Sequence, residues 1–296
     1  MNTAEILKKV RQIEIQTGKL VTETFAGEYL SAFKGQGIEF AEVREYTPGD
    51  DVRSIDWNVT ARSATPYIKK YNEERELTLM IACDVSGSEK FGSKGKLKQE
   101  AAAELTALFA LSALTNSDKV GLLLFSDQVE LFVPPRKGKK HILRLIREVV
   151  AFEPKHTGTR IDLALETLNK VIKRQGILIV ISDFLAPVSQ FATPFKLAAK
   201  KFDLIPVILQ DKLEQAMPKL GACLDVTDPE TGQVDLLSLS NETLNIRLAD
   251  FQQARQRQLQ NLFNPHKVAP ITVDTAQNTA DPVIAFFKQR AKKMRR

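Results

Sequence analysis

Three short stretches of this chain gather oxygen-bearing side chains. Asp84-Val85-Ser86-Gly87-Ser88 offers a carboxylate and two hydroxyls at spacing two, in a stretch that contains a glycine. Gly158-Thr159-Arg160 offers a hydroxyl just ahead of a helix-like run, and Ser182-Asp183-Phe184 offers a second carboxylate. Asp84, Ser86, Ser88, Thr159 and Asp183 form an all-oxygen donor set with no Cys or His. Such a set suits a hard divalent ion, Mg²⁺ or Mn²⁺, better than zinc. Two carboxylates cancel the double charge only once over. The ion would therefore stay electrophilic toward one more oxygen, such as the carboxylate of an acidic partner side chain. Taken singly, each of these residues is ordinary loop chemistry, an Asx turn or a helix cap.

The elements around these stretches decide whether they meet. Leu77 to Cys83 is a near-continuous apolar run, as expected of a strand covered on both faces. Val120 to Phe125, Ile177 to Ile181, Leu204 to Leu209 and Ile271 to Val273 read the same way. Val129 to Val133 follows the second strand after only three residues, which allows an antiparallel hairpin but not a parallel crossover. Helices are expected over Lys96–Thr115, His141–Val150, Arg160–Lys173, Asn241–Leu262 and Pro282–Lys292. Repeated β-α units imply a doubly wound, mainly parallel α/β sheet with one antiparallel strand. In such sheets ligands bind beyond the carboxyl ends of the strands. Asp84 and Asp183 each stand at such an end, and Thr159 precedes a helix.

Residues 1–76 are expected to hold an N-terminal helix and a small β-rich layer dense in charge. Residues 77–296 are expected to form the α/β domain, with a hairpin-rich insertion at about 211–240, where Pro218, Gly221, Pro229 and Gly232 break the alternation.

At 296 residues the chain can build one large core, and 43% hydrophobic with 26% charged residues marks a globular protein rather than a disordered one. Net charge is +6, but the last nine residues hold six basic side chains and no acid. Of the 42 basic residues, 36 therefore stand against 36 acidic ones before that tail. The basic character belongs to a tail, so no specific nucleic-acid partner is expected. Two Cys cannot make a disulfide framework, and no apolar stretch approaches the roughly 20 residues of a membrane span. No signal peptide is evident, and a cytoplasmic location is expected. Neither a phosphate-binding Gly-x-x-x-x-Gly-Lys-Ser/Thr nor a Gly-x-Gly-x-x-Gly stretch occurs.

The arrangement resembles the von Willebrand factor A-like fold with its metal-ion-dependent adhesion site. Asp84, Ser86 and Ser88 match the Asp-x-Ser-x-Ser loop, Thr159 the threonine loop and Asp183 the third loop. The run from Gly35 to Trp57, Ala61-Arg62, Glu73 to Glu76, Ser182-Asp183-Phe184 and Asp228-Pro229-Glu230-Thr231-Gly232 narrow it. They are similar to a bacterial von Willebrand A-like family catalogued as domain of unknown function fifty-eight. The resemblance implies a non-enzymatic, metal-dependent adaptor or co-chaperone that works with a MoxR-type AAA+ ATPase on a client protein. A Mg²⁺-dependent phosphohydrolase is the alternative, since the same donors suit phosphoryl transfer. Against it, the first loop lacks a second acid, and Arg160 is the one cation in the three loops available to clamp a phosphate.

Other residues carry smaller expectations. Asp50, Asp51 or Asp56 would act as an internal mimic of a client carboxylate, or else belong to a solvated, salt-bridged rim. Trp57 is expected to anchor the β-rich layer, His156 to be a plain loop residue, and Cys83 to be an inert buried thiol.

Overall fold

The computed structural model describes residues 3–21, 29, 32–33, 38–63, 65–73, 77–93, 96–215, 217–218, 223–230, 232–238 and 242–294. Gly35, Gly37, Glu74, Arg75, Glu76, Thr231, Arg295 and Arg296 lie outside the described residues. The chain divides into two units, residues 33–77 and residues 1–32 with 78–296. Among the described residues no helix is long and apolar enough to cross a membrane.

Helix α1 (Thr3–Leu20) opens the chain. In the small unit, β1 (Ile38–Glu45) and β2 (Tyr67–Glu73) form an antiparallel ribbon with a register shift between Phe40 and Glu42. Its acidic turn is knitted locally. Asp50 accepts from both terminal nitrogens of Arg44 (2.9 and 2.7 Å) and from the Thr47 amide (2.9 Å) and hydroxyl (2.8 Å). These donors, Arg44 first, hold its carboxyl well below the usual carboxylate range. Asp51 accepts from the Arg53 amide at 2.9 Å, and Asp56 from the Asn58 amide at 3.0 Å, capping the helical turn Trp57–Thr60. All three carboxylates are thus committed nearby. Trp57, read from the sequence as a packing anchor, is 69% exposed.

The large unit follows the expected alternation. In chain order it holds β3 (Thr78–Asp84), α2 (Lys98–Thr115), β4 (Lys119–Phe125), β5 (Val129–Arg136), α3 (Lys139–Ala151) and α4 (Ile161–Val171). Next come β6 (Ile177–Ser182), α5 (Val188–Lys201), β7 (Asp203–Gln210), β8 (Cys223–Thr227) and β9 (Val234–Ser238). The chain then continues through α6 (Glu242–Phe263), β10 (Ile271–Asp274) and α7 (Ala280–Met294). Six strands form one sheet in the order β10-β7-β6-β3-β4-β5, parallel throughout except for β5. This is the doubly wound sheet with one antiparallel strand that the von Willebrand A-like resemblance implies. The insertion forms its own hairpin, β8 against β9.

Helix α5 is absent from the sequence expectations. Pro194 sits inside it and removes the amide that would bond to Gln190, so the segment reads as interrupted. Packing restores the helix. Phe191 and Phe195 are fully buried, and Phe195 stacks on Phe263 of α6 at 5.0 Å between ring centroids.

The sheet alternation separates two cores. Met80, Ala82, Leu178 and Val180 face the layer of α4, α5 and α6. Helices α2 and α3 pack together, and α1 packs on both of them, with ion pairs Lys9–Glu100 and Lys139–Glu14. Helix α2 is buried at most of its positions, which explains its Ala- and Leu-rich sequence.

Chain order reverses beside β3. The path runs from β3 outward to β4 and β5, then returns to β6 on the other side of β3. The carboxyl ends of β3 and β6 therefore flank the topological switch point, where open α/β sheets leave a crevice.

Asp211, just beyond β7, ties three segments together near this end of the sheet. Its carboxylate accepts from the Ser93 amide (2.9 Å), the Leu213 amide (2.9 Å) and the Thr275 hydroxyl (3.0 Å). Asp211→Ala strands these donors in a buried setting. It is expected to cost about 2–4 kcal/mol in urea unfolding, with the loop before α2 exchanging amide protons faster.

Candidate metal centre

The first loop leaves β3 under tight local control. Asp84 ends the strand and is buried, and its Oδ1 accepts from the Ser86 amide at 2.9 Å, an Asx turn. The Val85 amide bonds back to the Phe125 carbonyl of β4 at 2.9 Å. The Ser86 and Ser88 hydroxyls share a hydrogen bond of 3.2 Å. A short 3₁₀ turn, Gly87–Lys90, then buries Glu89.

The third loop is fixed by hydrogen bonds and by aromatic packing. The Ser182 hydroxyl donates to Asp84 Oδ2 at 2.7 Å and accepts from the Phe184 amide at 3.0 Å. Phe184 holds φ at +52°, unusual for a bulky residue, and its ring is buried against Phe191 and Phe263. Arg255 of α6 donates to the Leu185 and Ala186 carbonyls at 3.0 and 3.2 Å, which clamps the loop from the other side. Asp183 is buried, and its Oδ1 accepts from the Leu185 amide at 3.0 Å.

Asp84, Glu89 and Asp183 are all buried, and each offers an oxygen within 4.8 Å of the others'. Among the described residues neither oxygen of Glu89 has a hydrogen-bond partner. Burying a carboxylate without a partner is costly. Burial, then the neighbouring charges of Asp84 and Asp183, push the Glu89 carboxyl well above its usual range, although Lys98 pulls the other way. Burial and the Asp183 charge likewise push Asp84 up to about 7, against hydrogen bonds from Ser86 and Ser182. Cys83 is fully buried, and burial raises its thiol well above the ordinary range.

Two buried cations among the described residues face this negative charge, Arg255, which feels the Asp183 carboxylate, and Lys98. Lys98, whose side chain is wholly buried, donates to Asp183 Oδ2 at 3.0 Å and to Glu214 Oε1 at 2.5 Å. Burial alone would lower the Lys98 ammonium, but Asp183, Glu89 and Glu214 outweigh it and raise its pKa above the usual value. The Lys98 ammonium thus faces Asp183, Glu89 and Glu214, with Asp84 beside them, and four acids crowd the two cations.

The residues fit a hard divalent ion. The donors are all oxygens, three carboxylates converge, and one of them has no partner among the described residues. Of the expected donors, Asp84 and Asp183 converge with Glu89, and Ser86 and Ser88 lie in the first loop with their hydroxyls on each other. Thr159 stands differently. Its hydroxyl donates to Glu230 Oε1 at 2.6 Å, a residue at the tip of the β8-β9 hairpin. The threonine loop does meet the first loop, through the Gly87 amide bonding to the Thr157 carbonyl at 2.8 Å. Arg160, the expected phosphate clamp, is held by Asp162 through Nε (2.9 Å) and a terminal nitrogen (2.6 Å). His156 lies 3.3 Å from Asp127.

Sequence reasoning missed Glu89, Lys98, Glu214 and Glu230. Only Glu89 had a local signal, as an acid directly after Ser88. Lys98 and Glu214 are 116 residues apart, and Glu230 is 71 residues from Thr159.

Comparison with known proteins gives a consistent picture. Rv1480, an uncharacterized protein of Mycobacterium tuberculosis, is 28% identical over 232 residues, covering 78% of this chain and 73% of its own length. The uncharacterized protein YeaD of Bacillus subtilis is 26% identical over 142 residues, 48% of this chain and 33% of its own. Among solved structures, the conserved hypothetical protein BatB of Bacteroides thetaiotaomicron is similar with a TM-score of 0.46 at 17% identity, covering 73% of this chain and 99% of its own. A von Willebrand factor type A structure from Catenulispora acidiphila has a TM-score of 0.44 at 13% identity, covering 77% of this chain and 44% of its own. The family described as "Protein of unknown function DUF58" matches residues 42–261, from within β1 to near the end of α6. That match spans both units and all three loops, and this chain belongs to that family.

Proposed function

We propose that this protein is a non-enzymatic, metal-dependent interaction module that captures an acidic side chain of a partner. The observation that carries this reading is the buried convergence of Asp84, Glu89 and Asp183, with Glu89 unpartnered among the described residues, at the switch point of the sheet. Asp84, Glu89 and Asp183 would hold Mg²⁺ or Mn²⁺, with Ser86 and Ser88 supplying hydroxyl oxygens. The bound ion supplies an electrophilic position for an external carboxylate. Asp183 shares its charge with Lys98, which tempers the pull on the ion. Thr159, whose hydroxyl here donates to the Glu230 carboxylate, would offer it to an incoming oxygen only once Glu230 moves away. The family resemblance names the working context, an adaptor or co-chaperone for a MoxR-type AAA+ ATPase acting on a client.

Asp84→Ala removes the residue that also organises Ser86 and Ser182. It is expected to weaken Mn²⁺ binding by about 100-fold or more in calorimetric titration, with the fold retained by circular dichroism. In lysate pull-downs analysed by mass spectrometry, wild type is expected to retain an AAA+ ATPase with Mg²⁺ and to lose it in chelator or with the variant. Retention unchanged in both conditions overturns the metal-dependent reading, and turnover in a Mg²⁺ phosphatase screen overturns the non-enzymatic one.

A further inference from the structure

The tip of the β8-β9 hairpin reaches the first loop and the threonine loop of the candidate centre. Asp228-Pro229-Glu230 turns with the Glu230 amide on Asp228 Oδ1 at 2.8 Å, and Gly232 closes the turn at φ +72°, with its amide on the Asp228 carbonyl at 2.8 Å. The Thr157 hydroxyl donates to the Glu230 carbonyl at 2.8 Å, and the Thr159 hydroxyl donates to its carboxylate. Pro229 leans on the first loop so closely that a β-carbon at Gly87 would lie 2.1 Å from its carbonyl oxygen. Glycine is required there by contact with the hairpin, since Gly87 is not among the residues of positive φ. Burial raises the Glu230 carboxyl above its usual range, the Thr159 hydroxyl opposes this, and the charges of Asp183 and Asp228 add to it. Beside the tip a cleft of about 390 Å³ runs past Ser88, Phe91, Thr159, Leu185 and Val226.

We propose that Glu230 is the protein's own occupant of the carboxylate position, so that a partner's acidic side chain engages the centre only by displacing the hairpin tip. This rests on the metal reading above and adds regulation to it. An in-chain carboxylate competes at a high effective concentration. If the tip is seated nine-tenths of the time, external carboxylates bind about tenfold more weakly than to an open site.

Mn²⁺ and acetate are sufficient probes, read by water-proton relaxation of the metal-loaded protein. Two variants open the position by different routes. Glu230→Ala removes the carboxylate, and Gly87→Ala pushes the tip away while keeping it. In wild type, acetate is expected to change the relaxation little. In both variants relaxation is expected to start higher, as water takes the freed position, and to fall as acetate binds about tenfold more tightly. Variants that bind Mn²⁺ yet match wild type in relaxation and acetate response overturn the proposal and leave the metal reading standing. A wild-type protein that binds no Mn²⁺ overturns both.

Discussion

Lys98→Met is expected to cost the metal-free protein about 3–5 kcal/mol, the usual price of removing one partner from a buried ion pair. The side chain is wholly buried and serves two carboxylates at once, Asp183 and Glu214. Methionine fills similar space, so the loss is one of charge and hydrogen bonds more than packing. Without the ammonium, Asp84, Glu89, Asp183 and Glu214 are left with no buried countercharge from Lys98. A divalent ion should then matter more. Removing a neighbouring positive charge is expected to tighten Mn²⁺ binding by about tenfold or more, even at the screened interaction strengths typical of proteins. Stabilisation follows by mass action, about 2.7 kcal/mol at a metal concentration one hundred times the dissociation constant. Chemical unfolding with and without Mn²⁺ reads both effects. A variant that is destabilised but gains no more from Mn²⁺ than wild type would show that Lys98 is structural and does not compete with an ion.

The distribution of this charge explains what the sequence could reveal. The strands were legible because a sheet covered on both faces needs uninterrupted apolar runs, and Leu178 to Ile181 has no other plausible place. Helix α5 was not legible, because Pro194 looks like a breaker until Phe191 and Phe195 find Phe263 across the core. The same split holds at the site. Asp84, Ser86 and Ser88 announce themselves because one tight loop sets their spacing. Lys98 comes from the first turn of α2, and Glu214 from a short helical turn after β7. Only the completed sheet brings them together, and each alone reads as a surface charge. The acidic Pro48-Gly49-Asp50-Asp51 turn drew attention as a source of an internal carboxylate. Its charges are spent on Arg44, Thr47 and the Arg53 amide. Glu230, in a turn whose sequence was noted without a role, is the carboxylate that meets Thr159.

Glu89→Gln separates two meanings of a buried acid by moving stability and binding in opposite directions. Glu89 is about 1% exposed and, among the described residues, neither of its oxygens has a partner, so in the metal-free protein it is a buried acid that recovers no hydrogen bond and can ionise only against Asp84 and Asp183. Glutamine keeps the shape and cannot ionise beside Asp84 and Asp183. The metal-free variant is therefore expected to be more stable than wild type by about 1–3 kcal/mol, the scale of a hydrogen bond donated by the new amide to the Asp84 or Asp183 carboxylate. The same change takes away a carboxylate from the set that would hold an ion. Mn²⁺ affinity is expected to fall by about 10–100-fold, and the stability gained on adding Mn²⁺ should shrink with it. If Glu89 only fills space as a neutral acid, glutamine leaves Mn²⁺ affinity where it was. If it is a ligand, the stabilities of the variant and wild type cross as Mn²⁺ rises. A buried acid that destabilises the protein without metal and stabilises it with metal is best explained as a binding group.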